Sequence, residues 1–550
     1  MLSRSVLVDR LVQQRFEVLV IGGGVVGSAI ARDAAMRGLS VALVEQGDFA
    51  GGTSSKTSKL IHGGLRYLEQ GRVHLVSESL RERATWQAIA PDLVTPISLL
   101  LPLYADGTRP AWKIRAGLEL YRWLSKEKSR AYGLLSSSEA LRREAGLAVE
   151  GLQAAGLFSD CQMDDARLCL RQVLQAIQFG GVCVNYTRVK QLLQANDIVS
   201  GAAVEDIWTG RAFEIEAACV VNAAGPWADD IRRMSRLHAP TRLAPTKGIH
   251  LIVPKIADHG LFVESRHDKR LIFILPWRGF SLIGTTESPV EGALDMLKPH
   301  ESEMTYLLEI VHEALPQVEL SERDIIAAYA GARPLLSYGG AANTASREHL
   351  IEVDPHGLMS VLGGKYTTAR LMAEQAVDIM VRRLGRSSER CVSHRVALVE
   401  DLIPNSLEMW APIVDRLTPQ TLGRMMTRYG VGLLRILELI DKDPTLAQPA
   451  CAHHPELAAE LVYGIREEMA CSVTDVLARR TLLAWSPCHG LEILPKLTEW
   501  LVQYSGFSTE VVAKQVDAYS HYLARAKAFH PAWKTTSIVG SVMEGLLAGN

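Results

Sequence analysis

The chain has 550 residues, 48% of them apolar and 22% charged, a globular composition that excludes long disorder and collagen-like repeats. At roughly 150 residues per domain, the length fits two to four domains. Lys and Arg number 59 against 61 Asp and Glu, a net charge of -2, which argues against nucleic acid as a partner.

The 8 cysteines are scattered and none sits in a Cys-x-x-Cys pair, so zinc ribbons and thioredoxin-like chemistry have no support and a reducing compartment is expected. Residues 1–15 read as an N-terminal extension without the apolar run of a signal peptide. No stretch reaches the ~18 apolar residues of a spanning helix, so the chain is expected to be soluble or to lie on a membrane without crossing it.

The first strong element is Phe16–Ile21, a strand-length apolar run. It enters Gly22-Gly23-Gly24-Val25-Val26-Gly27, followed by a predicted helix over 28–37, a left-handed cap at Gly38 and a buried strand over 39–44 that ends in Glu45. This is a β-α-β unit of the length that gives a Gly-x-Gly-x-x-Gly match its meaning. Residues 51–59 follow as a hydroxyl-rich loop, and 97–104 reads as core. From about 80 to 300 short strands and helices alternate, with strands expected over 182–186 and 271–275. Asp164-Asp165 precede a helix over 166–179 and read as its N-cap and first-turn charge. The pattern turns polar between 383 and 401, then helical with proline breaks over 402–527. The expected division is 1–15, 16–390 and 391–550, with the boundary near 390.

Gly22 permits a tight turn, Gly24 lets backbone approach a pyrophosphate, and Gly27 lets helix and strand pack closely. The helix N-terminus offers unpaired N–H groups to phosphate. Glu45, 18 residues beyond Gly27, stands where a carboxylate binds adenosine ribose hydroxyls and repels a 2′-phosphate. The fingerprint does not separate NAD from FAD. Thr53, Ser54 and Ser55 offer hydroxyls for a further stretch of phosphate and ribitol; a solvated surface loop is the alternative. Gly363-Gly364 before Lys365 can place backbone N–H groups and a cation at a flavin's electron-rich edge, or form a plain glycine turn.

The run GTSSKTSKLIHGGLRYLEQ closely resembles the FAD-dependent, quinone-linked glycerol-3-phosphate dehydrogenases of the aerobic type. The resemblance continues in order through Ser159-Asp160 with Asp164-Asp165-Ala166-Arg167-Leu168, Val221-Asn222-Ala223-Ala224-Gly225-Pro226-Trp227, Lys247-Gly248-Ile249-His250, residues 273–277, Gly284-Thr285-Thr286, Gly331-Ala332-Arg333-Pro334 and Gly363-Gly364-Lys365-Tyr366-Thr367-Thr368. It spans roughly 16–375, with a weaker match around Arg466-Glu467-Glu468 and Asp475-Val476-Leu477-Ala478-Arg479-Arg480-Thr481. Glu287 departs from the family's Asp after Gly-Thr-Thr. The resemblance implies an α/β fold: a Rossmann-like FAD-binding domain, an interleaved α+β substrate domain and a C-terminal all-helical domain.

It further implies oxidation of sn-glycerol 3-phosphate at C2, with hydride passing to flavin N5 and electrons to membrane quinone. Arg66, Tyr67 and Lys365 are then the phosphate-binding residues, His250 the base and Arg333 the group that orients the reacting hydroxyl. FAD would be held by Gly22, Gly24, Gly27, Glu45, Thr53, Ser54, Ser55, Gly363, Gly364 and Thr367. An oxidase using oxygen, and a non-catalytic flavoprotein that binds a partner through its helical domain, are the alternatives; joint retention of Arg66, His250, Arg333 and Lys365 counts against the second. No metal is expected: Cys451, His453 and His454 read as a loop cluster beside prolines. The oligomeric state is not legible. Residues 109–130 (RPAWKIRAGLELYRWLSKEKSR) hold seven basic residues interleaved with Trp112, Tyr121 and Trp123. They read as an interfacial helix for an anionic membrane surface or as a helix packed on the substrate domain. The resemblance favours the membrane, and with it a cytoplasmic protein held peripherally at the inner face of the cytoplasmic membrane.

Overall fold

The computed structural model describes residues 3–126, 132–236, 239–337, 348–387, 390–399, 404–452 and 454–526. Within the N-terminal extension, helix α1 (Arg4–Gln13) buries Leu7, Val8 and Leu11 against the sheet that follows. Arg4 fastens it, donating to Asp206 at 2.8 Å and to the Asn185 carbonyl at 2.7 Å. The sequence pattern of residues 1–15 predicts no element here.

Strand β1 (Phe16–Ile21), helix α2 (Val25–Met36) and strand β2 (Val41–Val44) form the expected β-α-β unit. α2 begins three residues before the predicted start, because Gly24 is already its N-cap and Val25 and Val26 occupy a first turn that lacks intrahelical donors' partners in any case. β1 pairs in parallel with β2 on one side and with Ala212–Asn222 on the other. Beyond these lie Val182–Val184 on the β2 side and Met359–Gly363 and His349–Val353 on the far side. Parallel strands covered on both faces are apolar throughout, as Phe16–Ile21 and Val41–Val44 are. The strand expected over 182–186 stops at Val184, since Tyr186 turns the chain with φ +52°.

A second, 10-stranded sheet is interleaved with the first along the chain. Towards one end lies the long antiparallel pair Val94–Tyr104 and Leu152–Met163; Gly260–Glu264, Leu271–Trp277, Phe280–Gly284, Thr246–Pro254 and Ala327–Arg333 extend the sheet from it. The apolar run 97–104 is thus strand core. Helix Asp165–Gln178 starts where expected, with the Asp164 carboxylate accepting from the Arg167 N–H at 3.1 Å. Asp165 does more than charge the first turn: it is buried and paired with Lys59 at 2.6 Å. The described residues from 404 to 526 are mainly helical, as expected, with one short pair of strands among them, Pro449–Cys451 and His454–Leu457.

The helical region joins the first domain through buried charge. Asp48, just past β2, is fully buried between Arg479 at 2.6 Å and Arg480 at 2.9 Å. Arg479 also holds Asp475 at 2.5 Å, and Arg167 pairs with Glu468 at 2.6 Å. Burial acts to raise the Asp48 pKa, but Arg480 and Arg479 outweigh it and hold the carboxyl at about 2. Removing one member of such a buried network leaves the others uncompensated. Asp48→Asn is therefore expected to lower stability by about 3–5 kcal/mol in urea unfolding. Asp9→Asn, which breaks an exposed pair with Arg211, should change it by less than about 1 kcal/mol.

Candidate active site

At the end of β1, Gly22 has φ +111°, and a Cβ there would stand 2.6 Å from the Ala223 carbonyl oxygen. A Cβ on Gly27 would run into the carbonyl oxygen of Gly22, so α2 reaches its distance from β1 only with glycine at this position. Gly24 caps α2, and the Val25 N–H donates to Ser54 Oγ at 2.9 Å. The Glu45 carboxylate accepts from the Gly23 N–H at 2.6 Å and the Gly47 N–H at 2.9 Å, which tethers the end of β2 to the glycine turn. Burial raises its pKa against the lowering effect of those two N–H groups.

The loop 51–59 is not a solvated surface loop. Its Thr53–Ser55 turn lies between the two sheets: Thr53 Oγ1 donates to the Ala332 carbonyl at 2.6 Å, and Thr57 Oγ1 to Asp165 at 2.8 Å. The loop forms one wall of a cavity of about 250 Å³. Arg66, Tyr67, His250, Arg333, Lys365, Thr53, Gly364 and Thr367 all line it. Gly22, Gly24, Gly27, Glu45, Ser54, Ser55 and Gly363 are not in this lining; the first four sit at the neighbouring turn and strand end, and Gly363 has φ +71° at the end of its strand.

On one side of the cavity Arg66 opens the short helix Arg66–Glu69 after Gly64, whose φ is +77°. Lys365 Nζ lies 4.1 Å from the centre of the Tyr67 ring and donates to Ser79 Oγ at 3.1 Å. Behind them Asp160 accepts from the Gly63 N–H and pairs with Arg83 at 2.8 Å, so the Ser159-Asp160 motif braces the loop that carries Arg66. The Gly364 N–H donates to the Glu348 carbonyl at 3.0 Å, and Thr367 Oγ1 accepts from the His62 N–H at 3.3 Å.

On the other side His250 sits in the strand Thr246–Pro254 with Nε2 2.8 Å from Ser58 Oγ. Burial drives its pKa well below 6.5, and the nearby charges of Arg333 and Lys59 push the same way. Arg333 donates to Thr285 Oγ1 at 2.7 Å and to the Thr286 carbonyl at 2.9 Å. A Cβ at Gly248 would collide with that guanidinium, which explains the glycine two residues before His250. Glu287 meets Arg270 at 3.0 Å on the cavity wall, so the departure from Asp serves an ion pair.

Two residues here had no site role assigned from the sequence. Lys56 lines the cavity, its pKa brought down to about 8 by burial and then by Arg479 and Arg525. Tyr329, opposite His250 in the sheet, had none because an isolated Tyr in a strand is ordinary core. Among the described residues no group of His, Cys, Asp and Glu could hold a metal; His454 pairs with Glu456, and His453 lies outside the described residues.

Helix Ala111–Ser125 divides the 109–130 segment into two faces. Ile114, Leu118 and Tyr121 are buried, and the Tyr121 hydroxyl donates to Asp160 at 2.7 Å, so Tyr121 is not part of an outer aromatic face. Trp112 and Trp123 are 72% and 73% exposed beside Lys113, Arg115, Arg122 and Lys126. Arg109 is bound to Glu69 and Glu264, and residues 127–130 lie outside the described residues. No helix of the described residues is long and apolar enough to cross a membrane.

The family model described as FAD dependent oxidoreductase matches residues 17–370, and the one described as C-terminal domain of alpha-glycerophosphate oxidase matches 391–512. A Synechocystis sp. protein named glycerol-3-phosphate dehydrogenase is 33% identical over 531 residues, 92% of this chain and 96% of its own. The chain belongs to the FAD-dependent glycerol-3-phosphate dehydrogenase family. Glycerol-3-phosphate dehydrogenase 2 of Mycobacterium tuberculosis is 35% identical over 543 residues, 96% of this chain and 90% of its own. The Bacillus halodurans glycerol-3-phosphate dehydrogenase solved with FAD superposes with a TM-score of 0.78 at 25% identity, covering 97% of this chain and 100% of that one.

FAD is accordingly the cofactor of this oxidoreductase. The residues present fit it: at Gly22 and Gly27 any Cβ would collide with the Ala223 or Gly22 carbonyl oxygen, so the tight turn needs glycine at both, and it opens onto the first turn of a 12-residue helix. Gly27→Ala is expected to abolish FAD retention, because relieving the collision with Gly22 moves α2 off β1. The check is the 450 nm flavin absorbance per polypeptide after gel filtration, compared with parent protein.

Proposed function

We propose that the protein oxidises sn-glycerol 3-phosphate to dihydroxyacetone phosphate, with the C2 hydride passing to flavin N5 and the electrons leaving to a membrane quinone. The observation that carries this reading is the single cavity that gathers Arg66, Tyr67 and Lys365 on one side and His250 and Arg333 on the other. FAD, when bound, supplies the hydride acceptor. Gly22, Gly24, Gly27 and Glu45, with Thr53, Ser54, Ser55, Gly363, Gly364 and Thr367, are proposed to hold it. Residues 16–390 are proposed as the FAD-binding domain with the substrate sheet inserted, and 391–550 as the helical domain packed on it.

A phosphate dianion calls for cations with fixed geometry. The Arg66 guanidinium offers two parallel donors to phosphate oxygens, and Lys365, steadied over the Tyr67 ring, adds a point charge. His250, neutral at pH 7, accepts the C2 hydroxyl proton at Nε2, where the substrate hydroxyl takes over the position of the Ser58 hydroxyl. Arg333, held by Thr285 and the Thr286 carbonyl, is a fixed positive charge for the oxygen that becomes a carbonyl.

Arg66→Ala should reduce kcat/KM for glycerol 3-phosphate by roughly 2–4 kcal/mol of transition-state binding while leaving the poor substrate glycerol almost unchanged. Equal losses on both would assign Arg66 to the fold. Because the folded state lowers the His250 pKa, the base stays unprotonated as pH falls through 6.5. With saturating substrate kcat should therefore hold level from pH 8 to 6.5 and fall only at lower pH. A drop centred at 6.5 or above would remove His250 from the role. Under air with a ubiquinone analogue, quinone reduction should exceed peroxide formation; stoichiometric peroxide would make oxygen the acceptor.

The exposed tryptophans and basic residues of helix Ala111–Ser125 support docking on an anionic membrane surface at its cytoplasmic face. Replacing Lys113, Arg115, Arg122 and Lys126 together by Gln should move protein from sedimenting anionic vesicles to the supernatant, with dye-linked turnover retained. Unchanged sedimentation would place the membrane face elsewhere.

A further inference from the structure

We propose that the C-terminal domain takes part in the reaction through an aromatic column behind the base: Trp485 packs on Tyr329, and Tyr329 lies on the imidazole of His250 and stabilises its protonated form. The proposal rests on the reading of His250 as the proton acceptor.

Tyr329 stands directly opposite His250 in the antiparallel pair of Ala327–Arg333 with Thr246–Pro254. Their ring centroids are 5.1 Å apart with an interplanar angle of 23°, a stacked pair. The Tyr329 hydroxyl donates to the Thr57 carbonyl at 2.6 Å, and the next residue, Ser58, is the one that meets His250 Nε2. One side chain thus fixes both the imidazole plane and the loop carrying its hydrogen-bond partner. Trp485, in the turn Leu483–Trp485 of the C-terminal region, meets the Tyr329 ring in an edge-type contact, with centroids 5.5 Å apart at 63°. Trp485 is itself held, its Nε1 donating to the Ala478 carbonyl at 3.1 Å, and Tyr522 of the last described helix packs against it.

The chemistry follows from what surrounds the imidazole. Arg333 and Lys59 are the charged groups acting on it, and both oppose its protonation. Lys59 is tied to Asp165, which offsets part of that effect. Nδ1 of His250 is buried with no hydrogen-bond partner among the described residues, so no carboxylate there supports an imidazolium. The electron-rich face of Tyr329 is the group placed to do so, by attraction between a desolvated cation and an aromatic ring. Tyr329 is therefore a positioning residue that strengthens the base at the moment it takes the proton, and Trp485 keeps it against the imidazole.

The test uses the full-length FAD-bound enzyme with a water-soluble dye as acceptor. Tyr329→Leu and Tyr329→Met both remove the ring face, and whichever retains parental FAD content serves. We expect kcat to fall at least tenfold with KM within twofold, and the solvent deuterium isotope effect on kcat to rise as proton transfer becomes slower. Tyr329→Phe should restore most of kcat. Trp485→Leu should reproduce part of the loss, and should add nothing in the Tyr329→Leu background. Parental kcat in both ring-removing variants, equal losses in the Phe and Leu variants, or independent Trp485 and Tyr329 effects would each overturn the proposal. His250→Gln separates the two levels: if it keeps kcat, the base assignment itself is wrong; if it loses kcat while Tyr329→Leu does not, only the column fails.

Discussion

Asp48 is a carboxylate out of reach of water, and it stays charged only because Arg479 and Arg480, from a part of the chain more than 400 residues away, close over it. Asn185 donates to the same carboxylate and to the Met469 carbonyl, so the first sheet, the loop after β2 and the helical region meet at one point. A buried carboxylate without these partners would neutralise or draw in water. The network therefore ties the position of the C-terminal helices to the glycine turn. It also begins three residues after Glu45, so the loop 51–59 leaves from a fixed origin and enters the cavity at a defined place.

The cavity uses the same device on a smaller scale. Three segments around the cavity rest on acid–base pairs withdrawn from water: Lys59 with Asp165 near Ser58, Arg83 with Asp160 near Arg66, and Lys247 with Glu303 beside Gly248. These pairs stabilise little on their own terms, since burying both charges offsets most of their attraction. Their effect is to specify one loop geometry, because any other leaves a charge unpaired. The small residues between them, Gly63, Gly248 and Gly331, let backbone and guanidinium come close where a Cβ would strike Tyr121, Arg333 or Lys56.

Much of this was legible in order along the chain. The strands β1 and β2 and helix α2 follow from apolar runs punctuated by glycine, a local signal that needs no partner to interpret. Arg66, His250, Arg333 and Lys365 stood out because the motifs that hold them resemble those of the family, and the fold brings all four to one cavity. Tyr329 and Trp485 carried no such mark, and Lys56 lay in a motif without being given a role. Their significance lies in what they face, and a residue's neighbours across a sheet or from a distant turn are not encoded in its own surroundings. Helix α1 was missed for the related reason that 10 residues with a weak apolar stripe become a helix only when packed.

By itself the sequence determined the β-α-β fingerprint with its dinucleotide-binding glycine turn, the alternation of strands and helices, and the helical character of the described residues after 404. All of these depend on local periodicity, glycine geometry and residue type. Tertiary structure alone decided that Asp165 and Asp160 are buried braces, that Tyr121 faces inward while Trp112 and Trp123 face out, and that Trp485 of the helical region packs against Tyr329. Those outcomes are set by long-range charge pairing and close packing, and both come into being only when distant segments meet.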